Sequence, residues 1–195
     1  MSVGRHRRPR NRSEPTDRVL IAGIGNIFLG DDGFGPEVVR RLPDHPRPGV
    51  RVVDYGIRGM HLAYDLLAPW EALVLVDAVP DRGAPGRIEV FGPEEPENPH
   101  TARLDAHAMT PDAVFAGLRA LGGAPPPTVV VGCQVSSVAE GIGLSGPVAA
   151  AVDEAVDAVG WVLDGFLVHG DQHLGGAAEP NRCASPTQTT ARQED

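Results

Sequence analysis

Four short, apolar-rich runs recur along the chain, each with the length of a strand, and the unbroken ones read as strands covered on both faces. They are RVLIAGI (Arg18 to Ile24), VRVVDY (Val50 to Tyr55), EALVLVDAV (Glu71 to Val79) and TVVVGCQV (Thr128 to Val135). Segments with helical spacing lie between them. Pro36 suits a first helical turn, Val38, Val39 and Leu42 follow at helical intervals, and Pro43 stops the pattern. MHLAYDLL (Met60 to Leu67) predicts a second helix after Gly59, and TPDAVFAGLRAL (Thr110 to Leu121) a third with a threonine cap. Ser145 to Leu167 reads as one long closing helix, and RIEVFG (Arg87 to Gly92) alternates like an antiparallel edge strand. Strand and helix alternate throughout. The expected fold is therefore an α/β three-layer sandwich, with a mainly parallel twisted sheet between helices and one antiparallel edge strand.

A chain of 195 residues has room for one domain with a sizeable core and some tail. The apolar runs place that domain at 18–167. Residues 1–17 and 168–195 are rich in Pro, Ser, Thr, Gln, Gly and charge without sustained periodicity, so they read as a disordered leader and a disordered tail. No apolar stretch reaches the roughly 18 to 20 residues of a membrane span, and no apolar run follows the basic start as in a secretory signal. The expectation is a cytoplasmic protein without membrane contact. Cys133 and Cys183 are far apart, one in a strand and one in the tail, which argues against a disulfide framework or a thiolate metal site.

Net charge is −9, and the basic arm RHRRPRNR (Arg5 to Arg12) leaves the body more acidic than that total. An acidic body does not suit nucleic-acid binding. The 17 basic residues are all arginine, a compositional bias that carries no functional weight here.

In open α/β sheets, ligands bind outside the carboxyl ends of the strands. The first strand ends there in GIGNIFLGDDGFG (Gly23 to Gly35), which has the look of a phosphate-cradling glycine loop. Its third fingerprint position, however, is Phe28, and Asp31 and Asp32 stand where they would oppose the amide dipole that an anion needs. The loop suits a cation. A helix cap explains one of the two aspartates but not both. Asp77 ends the third strand, and His107, in LDAHAMTPD, stands just before a helix, so both belong to the same sheet edge. Two carboxylates and an imidazole with open positions fit nickel or zinc better than calcium or magnesium, and three protein ligands mark a functional rather than a structural site. Familiar hydrolase signatures fail. VSSVA around Ser136 and Ser137 is no nucleophile elbow, Cys133 has no adjacent base, and HExxH does not occur.

The segment GIGNIFLGDDGFG closely resembles the G-x-G-N-x-L-x-x-D-D/E-G-x-G segment that opens the hydrogenase maturation proteases, which trim the C-terminus of the [NiFe]-hydrogenase large subunit. The resemblance continues through DYGIRGMHLAYDLL (Asp54 to Leu67), LVLVDAV, DAHAMTPDAVF and VSSVAEGIGLSGPV (Val135 to Val148), covering about residues 18–166. It implies a twisted, mostly parallel sheet between helices, and an endopeptidase that removes a C-terminal extension from the large-subunit precursor after nickel insertion. It puts the nickel-contacting, catalytic residues at Asp32, Asp77 and His107, with Asn26 and Asp31 in support. The nickel would arrive with the substrate, and zinc or another divalent ion could occupy the resting protein. The basic leader and the long tail depart from the family pattern and bear on partner choice. Three rivals stand beside this reading. They are a peptidyl-tRNA hydrolase-like enzyme, which shares the GIGN turn, a non-catalytic nickel-binding maturation chaperone, and a nucleotide-binding domain.

Overall fold

A computed structural model describes residues 19–43, 47–92 and 110–168. The leader, His107, Cys183 and all but the first residue of the expected tail lie outside the described residues.

The apolar runs become β1 (Val19–Ile24), β2 (Val50–Gly56), β3 (Ala72–Val79) and β5 (Thr128–Gln134), and the alternating segment becomes β4 (Ile88–Phe91). They form a single sheet in the order β2-β1-β3-β5-β4, in which β4 runs antiparallel to β5 and every other pair is parallel. This is the expected sheet. The helices are α1 (Phe34–Arg41), α2 (Gly59–Asp65), α3 (Pro111–Ala120), α4 (Gly146–Ala150) and α5 (Val152–Val168). Thr110 caps α3 as predicted, its hydroxyl accepting from the Ala113 N–H at 3.4 Å.

Alternate residues of the central strands feed two separate cores, because successive side chains in a strand point to opposite faces. Val19 and Ile21 of β1, with Val74 and Val76 of β3, pack on one face against Phe34 and Val38 of α1 and Val152, Ala155 and Val159 of α5. Leu20, Ala22, Leu73 and Leu75 pack on the other face against Leu62 and Leu66 from the α2 region and Val114, Phe115 and Leu118 of α3. Each of the larger of these buried side chains, the valines, leucines, isoleucine and phenylalanines, contributes about 1.5 to 3 kcal/mol by leaving water, which accounts for the three-layer arrangement.

One expectation is corrected. The closing helix is two helices, separated at Ala151, whose N–H turns back to the Val148 carbonyl at 3.2 Å. The run of alanines through 149–151 favours helix throughout, so nothing local in the sequence marks the break.

Candidate active site

From β1 the chain reaches β2 on one side, while β3 lies on the other. The strand order therefore reverses between β1 and β3, and a crevice opens beyond their carboxyl ends. The GIGNIFLGDDGFG segment leaves β1 at that point, and Asp77 lies near the end of β3, one residue past the partner of Gly23.

The glycines of that segment serve close packing. Gly25 has φ +130°, and a Cβ there would fall within contact distance of the Asp32 carbonyl oxygen; its N–H donates to the Gly56 carbonyl at 3.1 Å. A Cβ on Gly35 would run into the carbonyl oxygens of Ile24 and Val76, so α1 starts directly against the ends of β1 and β3. Close backbone packing therefore requires glycine at both positions.

Asp31 and Asp32 occupy a 3-10 turn, Gly30–Gly33, and divide two tasks between them. Neither makes a side-chain cap on that turn or on α1, contrary to the simple capping alternative. Asp31 is fully buried. Its Oδ2 accepts from the N–H groups of Ser136 (2.7 Å) and Ser137 (2.9 Å) and from the Ser145 hydroxyl (2.9 Å), while Oδ1 accepts from the Ser145 N–H at 2.6 Å. Burial alone would raise its pKa, but the three Ser N–H bonds and the Ser145 hydroxyl outweigh it and hold the carboxyl below its ordinary 3.8. Asp31 thus ties the loop after β1 to the loop after β5. The tie is reinforced where the Gly30 N–H donates to the Gly141 carbonyl at 3.0 Å and the Gly141 N–H donates to the Phe28 carbonyl at 2.9 Å.

Asp32, by contrast, is only partly buried and is held from one side: its Oδ2 accepts the Asn26 N–H at 2.6 Å. Asn26 is itself fixed by an Asx turn, its Oδ1 accepting from the Phe28 N–H at 3.0 Å. Asp77 is buried, 7% exposed, and its Oδ1 accepts the Ala78 N–H at 2.8 Å. Burial pushes its carboxyl well above the usual range, the Ala78 N–H offsets part of that, and the negative charge of nearby Asp32 pushes it up again. Among the described residues, neither Asp32 nor Asp77 is ion-paired with a cationic side chain. The charge of Asp32 adds to the cost of ionising Asp77, a repulsion of the kind that a divalent ion between two carboxylates relieves.

Of the five site residues read from the sequence, Asn26, Asp31, Asp32 and Asp77 come together at the β1/β3 crevice; His107 lies outside the described residues. No group of three His, Cys, Asp or Glu positioned to hold a metal occurs among the described residues. Sequence reasoning missed Ser145, which was read only as the start of a helix, although it makes two of the four bonds to Asp31. It also dismissed Ser136 and Ser137 as nucleophiles without finding their backbone role. Cys133 is buried, and burial first, then the charges of Asp31 and Glu154, push its thiol up to about 12, which suits core packing and not nucleophilic attack.

Comparison with known proteins adds a second line of evidence. The HycI family model, described as hydrogenase maturation protease, matches residues 36–160. The hydrogenase 2 maturation protease of Escherichia coli is 32% identical over 149 residues, covering 73% of this chain and 88% of that protein. Among solved structures, the hydrogenase maturating endopeptidase HybD from E. coli superposes with a TM-score of 0.58 at 28% identity, over 78% of this chain and 94% of that one. The [NiFe] hydrogenase maturation protease HybD from Thermococcus kodakarensis superposes with a TM-score of 0.56 at 27% identity, over 74% and 98%.

Proposed function

The chain belongs to the hydrogenase maturation protease family, and from that premise we propose that it removes a C-terminal extension from the large-subunit precursor of a [NiFe]-hydrogenase after nickel insertion. On this reading the precursor's own nickel is what the site recognises. The observation that carries it is the pair Asp32 and Asp77, a partly buried and a buried carboxylate at the switch point without a cationic partner among the described residues. Such a pair gains from a divalent cation and has little use for an anionic ligand.

Asp32, Asp77 and His107 would hold the nickel of the loaded precursor and bring the scissile bond into register. The cation would polarise the scissile carbonyl or an attacking water, and a carboxylate freed of its proton would serve as base. Asp31 and Asn26 support this by fixing the loop that carries Asp32. Zinc or another divalent ion could occupy the same ligands in the resting protein. No described helix is long and apolar enough to cross a membrane, in keeping with processing of the precursor in the cytoplasm.

The family match favours this reading over the peptidyl-tRNA hydrolase-like, chaperone and nucleotide-binding alternatives. The test is incubation with nickel-loaded large-subunit precursor followed by mass spectrometry of its C-terminus. A precursor shortened by the wild type, and left intact by folded Asp77→Ala and His107→Ala variants, is the expected result. Normal trimming by either variant, or an unchanged precursor mass with the wild type, overturns the assignment.

A further inference from the structure

Ser145 opens α4 at the position where a serine hydroxyl ordinarily accepts from an N–H of the first helical turn, yet it makes no such cap. The hydroxyl instead donates to Asp31 Oδ2 at 2.9 Å, and the Ser145 N–H donates to Oδ1 of the same carboxylate at 2.6 Å. Ser136 and Ser137 reach only Oδ2. Ser145 alone bonds both oxygens, so it fixes the rotation of the carboxylate as well as its place.

Asp31 shares the 3-10 turn Gly30–Gly33 with Asp32. The backbone of that turn is also tied to the loop after β5, the Asp31 N–H donating to the Ser137 carbonyl and the Gly30 N–H to the Gly141 carbonyl, each at 3.0 Å. Asp32 has far less holding of its own. Among the described residues its carboxylate accepts one hydrogen bond, from the Asn26 N–H at 2.6 Å, so its direction is set mainly by the turn that carries it.

We infer that Ser145 is a positioning residue, which acts through Asp31 to fix the turn that presents Asp32 beside Asp77. The inference rests on the peptidase reading above and adds to it the residue that keeps the carboxylate in register. Small displacements of a reacting group are costly to a rate, about a hundredfold for 1 Å, so a hydroxyl that never touches the substrate can still govern processing.

The experiment compares the full-length wild type with Ser145→Ala, Ser145→Thr and a control, Thr128→Val. Ser145→Ala loses the hydroxyl but keeps the three N–H bonds to Asp31, so it retains the fold, and Ser145→Thr keeps the hydroxyl. The Thr128 hydroxyl donates to the Pro126 carbonyl at 2.7 Å where β5 begins, at the opposite edge of the sheet. Two quantities are read per folded molecule, with melting curves giving the folded fraction. They are the rate of processing of nickel-loaded precursor and the hydrogen exchange of the Asn26 amide, whose acceptor is Asp32. Ser145→Ala should process about ten- to hundredfold more slowly and exchange the Asn26 amide about tenfold faster. Ser145→Thr should restore both, and Thr128→Val should alter neither. A slower rate without faster exchange, faster exchange without a slower rate, an equal effect of Thr128→Val, or no rescue by threonine overturns the inference. Wild type that leaves the precursor intact, with faster Asn26 exchange in Ser145→Ala alone, removes the peptidase reading and keeps the link from Ser145 to Asp32. Normal processing and normal exchange in Ser145→Ala do the reverse.

Discussion

Ser145 holds Asp31 twice, through its N–H to Oδ1 at 2.6 Å and its hydroxyl to Oδ2 at 2.9 Å, across 114 positions of sequence. With the amides of Ser136 and Ser137 the carboxylate satisfies three backbone donors of the loop after β5. Asp31→Ala leaves these donors unpaired and is expected to cost about 3 to 5 kcal/mol, read as a lowered urea midpoint. Because the folded-state pKa of Asp31 lies below its ordinary 3.8, the stability it contributes is present above that value and is lost as pH falls below it. The wild type should therefore lose stability below about pH 4 more steeply than Asp31→Ala.

Asp77 has the opposite sign. Its folded-state pKa is raised, first by burial and then, against the Ala78 N–H, by the charge of Asp32. Below the ordinary 3.8 the carboxyl is protonated in folded and unfolded chains alike and carries no penalty. Above it the unfolded chain ionises while the folded chain resists, so stability falls as pH rises toward the folded value. Asp77→Asn removes this term. In the presence of chelator, its unfolding free energy should pull ahead of the wild type as pH rises above about 4, by about 1.4 kcal/mol for each unit by which the folded value is raised. A gap that does not widen over that range contradicts the assignment. The same variant should lose precursor processing, so stability and activity move in opposite directions.

Much of this arrangement was legible in the sequence because it follows from patterns with a short period. The four runs mark β1, β2, β3 and β5 to within a residue or so at each end: β1, β3 and β5 are nearly unbroken because they lie inside the sheet, whereas β2, at its edge with Arg51 and Asp54 exposed, shows through its valines. Asp77 was legible for the same reason, as the first charge in a run that must end at the carboxyl edge. The split at Ala151 was not, because alanine favours helix on both sides of it. Nor was the division of labour between Asp31 and Asp32: it depends on the loop after β5, more than a hundred residues away, which local spacing does not report.

The glycine segment makes a prediction about packing and not about ligands. Gly25 needs positive φ and has no room for a Cβ against the Asp32 carbonyl, so Gly25→Ala combines backbone strain with a clash. It is expected to cost about 2 to 4 kcal/mol and to displace Asp32, lowering processing beyond what the loss of stability explains. Thermal unfolding and the processing rate of the remaining folded fraction, measured together, check this. If Gly25→Ala instead weakened binding of a nucleotide by the wild type, the close-packing account of the loop would be wrong.

Cys133 offers a test of which chemistry the site does not use. Its side chain is fully buried in β5, and with the thiol pushed up to about 12, thiolate at pH 8 amounts to about one part in ten thousand. Iodoacetamide should leave Cys133 unmodified in the native protein and label it readily in urea, as mapped by mass spectrometry. Cys133→Ala should cost about 1 kcal/mol of stability from the small void it opens beside Val131 and the α5 face. Its processing of nickel-loaded precursor should stay within about twofold of wild type, because a nucleophile that is neither ionised nor accessible contributes nothing to the reaction. A loss of processing of a hundredfold or more in a variant of near-native stability would place Cys133 in the reaction and displace the carboxylate account of the site.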